Sequence, residues 1–144
     1  IRQMYLGEYT HAIDDKGRLT VPAKFRGELA KGLVVTRGFD TKLMVFTLEG
    51  WLELAQKIAD KPLSDPSTRA FRRRVFSGAV DLTPDRQGRI LLPANLRQFA
   101  ELDGEAVIIG MYSYLEIWGV DSWEPVRDEI ESSDDVARWE NLGI

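Results

Sequence analysis

The chain has 144 residues, of which 44% are hydrophobic, and this is enough to bury one core or two small fused cores. The sequence contains no cysteine, which excludes a disulfide framework, a thiol nucleophile and a cysteine-based zinc site, and its single histidine, His11, excludes a multi-histidine metal site. We therefore predict no cofactor. The formal net charge of −4 argues against a nucleic-acid partner only until its distribution is considered.

The charges are divided unevenly along the chain. Residues 101–144 carry twelve acidic side chains against two arginines, whereas residues 68–97 carry seven arginines against two aspartates. Residues 14–26 hold four basic side chains against two acidic ones. Because DNA affinity depends on the charge of the surface that faces the duplex, these basic segments are compatible with a nucleic-acid partner despite the negative net charge.

Neither a membrane span nor an export signal is predicted. No stretch approaches the roughly 18 apolar residues that a membrane helix needs. The first residues show no basic start followed by an apolar core. We expect a cytoplasmic protein without a membrane partner.

The predicted elements follow the order strand, strand, short helix, strand, strand, helix, and this order occurs twice. The strands of the first half are predicted over residues 9–13, 18–21, 33–36 and 43–47. Those of the second half are predicted over residues 79–83, 89–92, 106–109 and 115–118. The short helices should begin at Pro22 and Pro93, because proline has a helical φ and no amide that would be left unpaired. The longer helices should begin near Glu49 and Asp121.

The second half of the chain repeats the sequence of the first. Residues 14–26 read DDKGRLTVPAKFR, and residues 85–97 read DRQGRILLPANLR. At a shift of 71 positions, the identical pairs are Asp14 with Asp85, Gly17 with Gly88, Arg18 with Arg89, Pro22 with Pro93, Ala23 with Ala94 and Arg26 with Arg97. One inserted residue before Gly104 makes the later shift 72, so that Trp51 matches Trp123. Two copies are too few for a solenoid, which needs about three or more units.

A four-stranded half would expose unpaired strand edges and one apolar face, and pairing with its twin would cover both. We therefore predict an α+β, mainly β fold with pseudo-two-fold symmetry. Two tandem ββαββα repeats would form one compact barrel of eight short strands, with the helices at its periphery. We expect the first repeat over residues 4–62, a linker or helix over residues 63–75, and the second repeat with its C-terminal helix over residues 76–144.

The doubled motif D-x-x-G-R-[LI]-x-[VL]-P resembles the MraZ family and, more distantly, the AbrB and MazE superfamily. The segments MYLGEYTHAIDDKGRLTVPAKFR and FSGAVDLTPDRQGRILLPANLR both carry it, and the resemblance covers nearly all of residues 4–140. It implies an AbrB-like, swapped-hairpin, double-split barrel within one chain, and assembly into a homo-oligomeric ring of about eight or more subunits. It also implies a nucleoid-associated transcription factor that binds short, G-rich direct repeats in the promoter of the division and cell-wall gene cluster.

The two D-x-x-G-R turns are the predicted contact with double-stranded DNA. We expect Arg18 and Arg89 to reach base edges or phosphates, because the rigid guanidinium fork matches the two acceptors of guanine in the major groove. Lys16 and Arg86 are expected to add contacts to phosphates, and Lys24 on the first short helix is a further candidate for DNA contact.

Four further residues are expected to support the turns. Gly17 and Gly88 would allow a positive φ and a close approach of the backbone to DNA. Asp14 and Asp85 would bond the turn backbone or hold the guanidinium groups. The alternative is a plain hairpin turn with a surface Asp–Arg pair that contributes little. For one copy we would favour that alternative, but the duplication favours DNA contact.

Other side chains have two interpretations. The run Arg69, Arg72, Arg73 and Arg74 could follow a DNA backbone, but a solvated helix face or pairing with the acidic tail of a neighbouring subunit is favoured. Trp51 and Trp123 are expected to pack on the barrel rather than to stack on bases.

Two other function classes compete with a DNA-binding regulator. An antitoxin-like barrel that binds another protein ranks second, because the final helix is short for a segment that wraps a partner. An enzyme ranks last. Asp14 and Asp15 point to opposite sides of a strand, and the sequence contains no nucleophile, Walker or Rossmann motif.

Overall fold

The computed structural model describes residues 3–132 and 136–143, and in them the chain forms eight strands and six α helices. The strands are β1 (Glu8–Ala12), β2 (Arg18–Thr20), β3 (Leu33–Arg37), β4 (Leu43–Thr47), β5 (Val80–Leu82), β6 (Arg89–Leu91), β7 (Glu105–Gly110) and β8 (Leu115–Gly119). The helices are α1 (Arg26–Leu29), α2 (Leu48–Ala59), α3 (Pro66–Ser77), α4 (Ala94–Phe99), α5 (Val120–Ser132) and α6 (Val136–Glu140). A 3-10 turn over Ala23–Phe25 precedes α1. The predicted α+β class and the doubled element order are confirmed.

The strands form two hydrogen-bonded units that reveal the pseudo-two-fold symmetry. Six strands make an antiparallel sheet in the order β1-β7-β8-β4-β3-β5, and the remaining two form the antiparallel β2–β6 ribbon. Replacing every strand by its counterpart in the other repeat reverses the sheet order and leaves it otherwise unchanged. The symmetry axis therefore passes between β4 and β8 and through the ribbon.

The repeats exchange their first strands. β1 pairs with β7 of the second repeat, while β5 pairs with β3 of the first. The two hairpins then meet, because β2 pairs with β6. Hydrogen bonding does not run continuously around all eight strands. The ribbon instead lies over the same core as the six-stranded sheet, and an isolated bridge joins Ile13 to Leu19.

Both repeats contribute to one hydrophobic core. Its fully buried members include Leu19, Phe25, Leu29, Leu33, Ile90, Leu92, Leu96 and Ile117. Burying one such side chain contributes roughly 1.5–3 kcal/mol, so a separated half would lose most of its driving force for folding. The duplicated sequence therefore builds one cooperative core rather than two.

The long helices pack outside the sheet, as predicted for their tryptophans. Trp123 of α5 lies against Trp118, with 5.3 Å between ring centroids. Trp51 of α2 contacts Phe46 and Phe76 at 6.0 and 5.9 Å. Among the described residues, no helix combines the length and the apolar character needed to cross a membrane.

Candidate nucleic-acid interface

The β2–β6 ribbon has one buried face and one solvent-facing side. Its register places Leu19 opposite Ile90, and these side chains are 1% and 2% exposed. Alternation along a strand puts the flanking residues on the other side, which carries Arg18, Thr20, Arg89 and Leu91. Arg18 lies opposite Leu91 and Thr20 opposite Arg89. The two predicted DNA-contacting arginines therefore share one outer face.

The first turn is built by the carboxylate of Asp14. Its Oδ1 accepts hydrogen bonds from the backbone N–H groups of Lys16 and Arg18, at 3.0 and 2.9 Å. Its Oδ2 accepts from Arg18 Nε at 2.6 Å. The backbone closes through Gly17 N–H to the Asp14 carbonyl at 3.0 Å, and Gly17 has a φ of +88°. The predicted bonds from Asp14 to the turn backbone and to the guanidinium are therefore both present.

The second turn repeats this construction. Asp85 Oδ1 accepts from the backbone N–H groups of Gln87 and Arg89, each at 2.9 Å, and Oδ2 accepts from Arg89 Nε at 2.9 Å. Gly88 has a φ of +77°. Since the donor at the middle position is a backbone amide, Lys16 and Gln87 serve the turn equally well. This explains why the middle position of the motif varies between the copies.

These hydrogen bonds keep the aspartates ionised. The backbone N–H of Arg18, followed by its side chain, lowers the pKa of Asp14 below its usual value despite some desolvation. Arg89 lowers the pKa of Asp85 in the same way. Each carboxylate binds the Nε side of its guanidinium, and the arginine side chains remain 32% and 27% exposed. The terminal amino groups are therefore held in a defined direction at the surface.

The two turns form one continuous surface. The backbone N–H of Val21 donates to the Gly88 carbonyl at 2.8 Å, and that of Leu92 donates to the Gly17 carbonyl at 3.0 Å. Arg89 Nη1 also lies 3.9 Å from Asp14 Oδ2, so that one guanidinium faces the carboxylates of both repeats. A substitution in one turn should therefore disturb the geometry of the other turn as well.

A second pair of arginines, Arg26 and Arg97, has a role that the sequence did not reveal. A Cβ on Gly17 would lie 2.7 Å from Arg97 Cζ and Nε, and a Cβ on Gly88 would collide with Arg26. Arg26 Nε donates to the Val21 carbonyl at 2.9 Å, and Arg97 Nε donates to the Leu92 carbonyl at 3.0 Å. Each motif glycine thus makes room for an arginine of the opposite repeat. The only signal in the sequence was that this arginine pair is itself duplicated.

The other predicted DNA-contacting residues are all exposed but lie on different elements. Lys16 and Arg86 belong to the two turns, whereas Lys24 belongs to the 3-10 turn before α1. The backbone carbonyl of Lys24 accepts a hydrogen bond from Gln3 Nε2.

Residues 4–74 and again residues 75–140 match the family model described as MraZ protein, whose description adds an antitoxin-like character as a suggestion only. A protein of Herpetosiphon aurantiacus is 53% identical over 125 residues, which cover 87% of each chain. A protein of Roseiflexus sp. strain RS-1 is 50% identical over 90% of this chain and 91% of its own length. A protein of Alkaliphilus metalliredigens is 44% identical over 98% of this chain and 100% of its own. The chain belongs to the MraZ family.

The three MraZ relatives are all named transcriptional regulators, and the family is therefore one of regulators rather than enzymes. An enzymatic role for Asp14 is also disfavoured, because both of its carboxylate oxygens accept hydrogen bonds that build the turn. The antitoxin-like alternative retains only the wording of the family description.

In this MraZ family member, part of the arginine run on α3 makes contacts within the fold. Arg74 Nε and Nη2 donate to the Gly38 carbonyl at 3.1 and 2.9 Å, and its guanidinium covers the rings of Phe39 and Phe99. Arg69 Nη1 donates to the carbonyls of Leu63 and Ser64. These contacts give the run a structural use, in addition to the two interpretations considered from the sequence.

Proposed function

We propose that this chain is a sequence-specific DNA-binding transcriptional regulator whose β2–β6 ribbon contacts the duplex. The observation that carries this proposal is the pair of guanidinium groups, Arg18 and Arg89, held by Asp14 and Asp85 on one solvent-facing side. A two-stranded ribbon is one of the elements that the major groove, about 12 Å wide, admits. A guanidinium that is already oriented loses less conformational entropy when it binds a base edge or a phosphate.

The other predicted residues have supporting roles in this proposal. Lys16, Arg86 and Lys24 would add phosphate contacts, which strengthen binding to all sequences and make it depend on salt. Gly17 and Gly88 would keep the turns compact. Regulation of transcription places the protein on the chromosome, so we also propose a cytoplasmic, nucleoid-associated location.

One ribbon covers little DNA, so the proposal includes assembly of several copies. We propose a homo-oligomeric ring that binds short, G-rich direct repeats in the promoter of the division and cell-wall gene cluster. Linked ribbons would bind a second repeat as an intramolecular event, which raises the apparent affinity without any new contact. The spacing of the repeats would then have to match the spacing of the ribbons around the ring.

The test is an electrophoretic shift titration of the full chain on the promoter fragment of that gene cluster from the source genome. The double variant Arg18→Ala with Arg89→Ala should bind at least about thirtyfold more weakly, since each of the two bidentate contacts is worth about 1–3 kcal/mol. A matched control is Lys57→Ala with Lys61→Ala, which removes the same charge from two exposed positions outside the ribbon. Equal losses in both double variants would contradict the proposed interface.

Repeat number tests the assembly. Affinity should rise steeply from fragments with one repeat to fragments with two, three and four, and the mass in solution should correspond to several subunits. An affinity that is independent of repeat number would contradict the ring mechanism while leaving the single-ribbon contact intact.

A further inference from the structure

Leu91 occupies the most exposed apolar position of the β2–β6 ribbon. Its side chain is 56% exposed on the outer face, opposite Arg18 and two residues beyond Arg89 in β6. Leu91 is not needed to fill the core, because Leu19 and Ile90 already occupy the buried face of the ribbon. A leucine that is exposed between two guanidinium groups needs another explanation.

The leucine also breaks the symmetry of the ribbon. Its counterpart in the first repeat is Thr20, which lies opposite Arg89 as Leu91 lies opposite Arg18. The neighbouring pairs, Leu19 with Ile90 and Val21 with Leu92, remain chemically alike. On the outer face the second repeat therefore presents an apolar side chain where the first presents a hydroxyl.

We propose that Leu91 is a specificity-determining residue that packs on the 5-methyl group of a thymine beside the base contacted by Arg18. This inference rests on the proposed function. Among the four bases, only thymine presents an apolar group on the floor of the major groove. A ribbon that turns its outer face to the base edges directs Leu91 into the groove on the same side as the two guanidinium groups.

The surrounding charges favour DNA as the occupant of this face. Lys16 and Arg86 stand in the adjoining turns, and Arg18 and Arg89 flank the leucine on the face itself. The carboxylates of Asp14 and Asp85 lie close by, but each is bonded to its own arginine, which leaves Asp15 as the remaining acidic group of the two turns.

The asymmetry has a consequence for the kind of site that is bound. A ribbon with identical halves would favour a palindrome, because the symmetry of the protein is mirrored in the symmetry of its site. With Thr20 at one end and Leu91 at the other, the ribbon can distinguish the two directions along the duplex. This fits a site that is repeated in one direction.

The experiment begins by selecting duplexes from a random-sequence pool with the full chain. Each thymine of the selected site is then replaced singly by uracil, which removes only the methyl group, and affinities are measured by fluorescence anisotropy. At one thymine, uracil should weaken binding of the unaltered chain about three- to fivefold, the scale of one apolar methyl contact. Leu91→Thr, which copies Thr20 and keeps only one shorter methyl group, should show a smaller difference between the two duplexes than the unaltered chain. Leu63→Thr, at another exposed leucine, should behave like the unaltered chain.

The outcomes separate the two levels of the proposal. A pool from which no sequence is enriched contradicts the proposed function and the leucine contact together. An enriched site that lacks thymine, or uracil effects that are equal in the unaltered chain and Leu91→Thr, overturns the leucine contact alone. A change in the oligomer mass of Leu91→Thr without a change in thymine dependence overturns it too, and makes Leu91 a contact between copies.

Discussion

The β2–β6 ribbon and helix α3 are both rich in arginine, but they use it in opposite ways. On α3, Arg74 donates to the Gly38 carbonyl and covers two phenylalanine rings, so its charge serves the fold. On the ribbon, a carboxylate takes the Nε side of each arginine and the terminal groups remain at the surface. Along the sequence, α3 has the longer run of positive charge, because Arg72, Arg73 and Arg74 are consecutive. The difference teaches that what sets the proposed DNA-binding face apart is how its guanidinium groups are held, and not how many arginines follow one another.

The largest expected effect is the loss of stability caused by adding a methyl group at Gly17, in the space that the Arg97 side chain occupies. Gly17→Ala should lower the free energy of unfolding by about 2 to 3 kcal/mol, because alanine disfavours the positive φ and displaces Arg97 from the Leu92 carbonyl. Gly104→Ala is the matched control, since Gly104 has a φ of +74° but no atom within 4 Å of an added Cβ. It should cost about 1 to 2 kcal/mol.

Urea denaturation at one fixed protein concentration measures both glycine variants. Combining Gly17→Ala with Arg97→Ala should cost less than the sum of the single changes, because both remove the same hydrogen bond. Equal losses for Gly17→Ala and Gly104→Ala would mean that the arginine contact contributes nothing.

The next effect sharpens the contrast between ribbon and helix. Arg74→Lys keeps the charge but cannot reproduce the forked hydrogen bond to the Gly38 carbonyl or the planar contact with Phe39 and Phe99. We expect it to lower the free energy of unfolding by about 1 to 2 kcal/mol and to leave the DNA affinity of the folded protein unchanged. Arg18→Lys should show the reverse pattern. Denaturation and anisotropy titrations of both variants would contradict the comparison if each lost the same property.

The smallest expected effect is a dependence of stability on pH. Asp14 and Asp85 have a lower pKa in the folded protein than the ordinary value of 3.8. Their stabilising contribution is therefore complete above about pH 4 and is lost as the pH falls through the lowered pKa values. Replacing both with asparagine should flatten this part of the curve measured by urea denaturation between pH 6 and pH 2. An unchanged slope would mean that other carboxylates cause the acid transition.

Several features of the fold could be predicted because they are local or repeated. The positive φ at Gly17 and Gly88, the bonds from Asp14 and Asp85, and the helices after Pro22 and Pro93 all depend on residues a few positions apart. The pairing of the two halves could be predicted from the duplication, because a half with open strand edges needs a partner and its twin is part of the same chain.

The contacts by which the two repeats interlock could not be predicted from the sequence in this way. In the sequence, Arg26 and Arg97 are only a repeated pair of basic residues, but in the structure each lies against the glycine of the opposite turn. Nothing local in the sequence distinguishes Leu91 from the other residues of its strand, and its exposure appears only when the register with β2 is known. Both depend on contacts between segments about 70 positions apart.

By itself, the sequence determined the two turns, the doubled element order and the family, since turn geometry follows from neighbouring residues and a repeat is visible in the letters. Only the tertiary structure decided which arginines face solvent, which ones lie against the glycines, and which side of the ribbon carries Leu91. The physical reason is that strand exchange pairs each hairpin with the other repeat. The neighbours that set the direction and exposure of these side chains therefore lie far away along the chain.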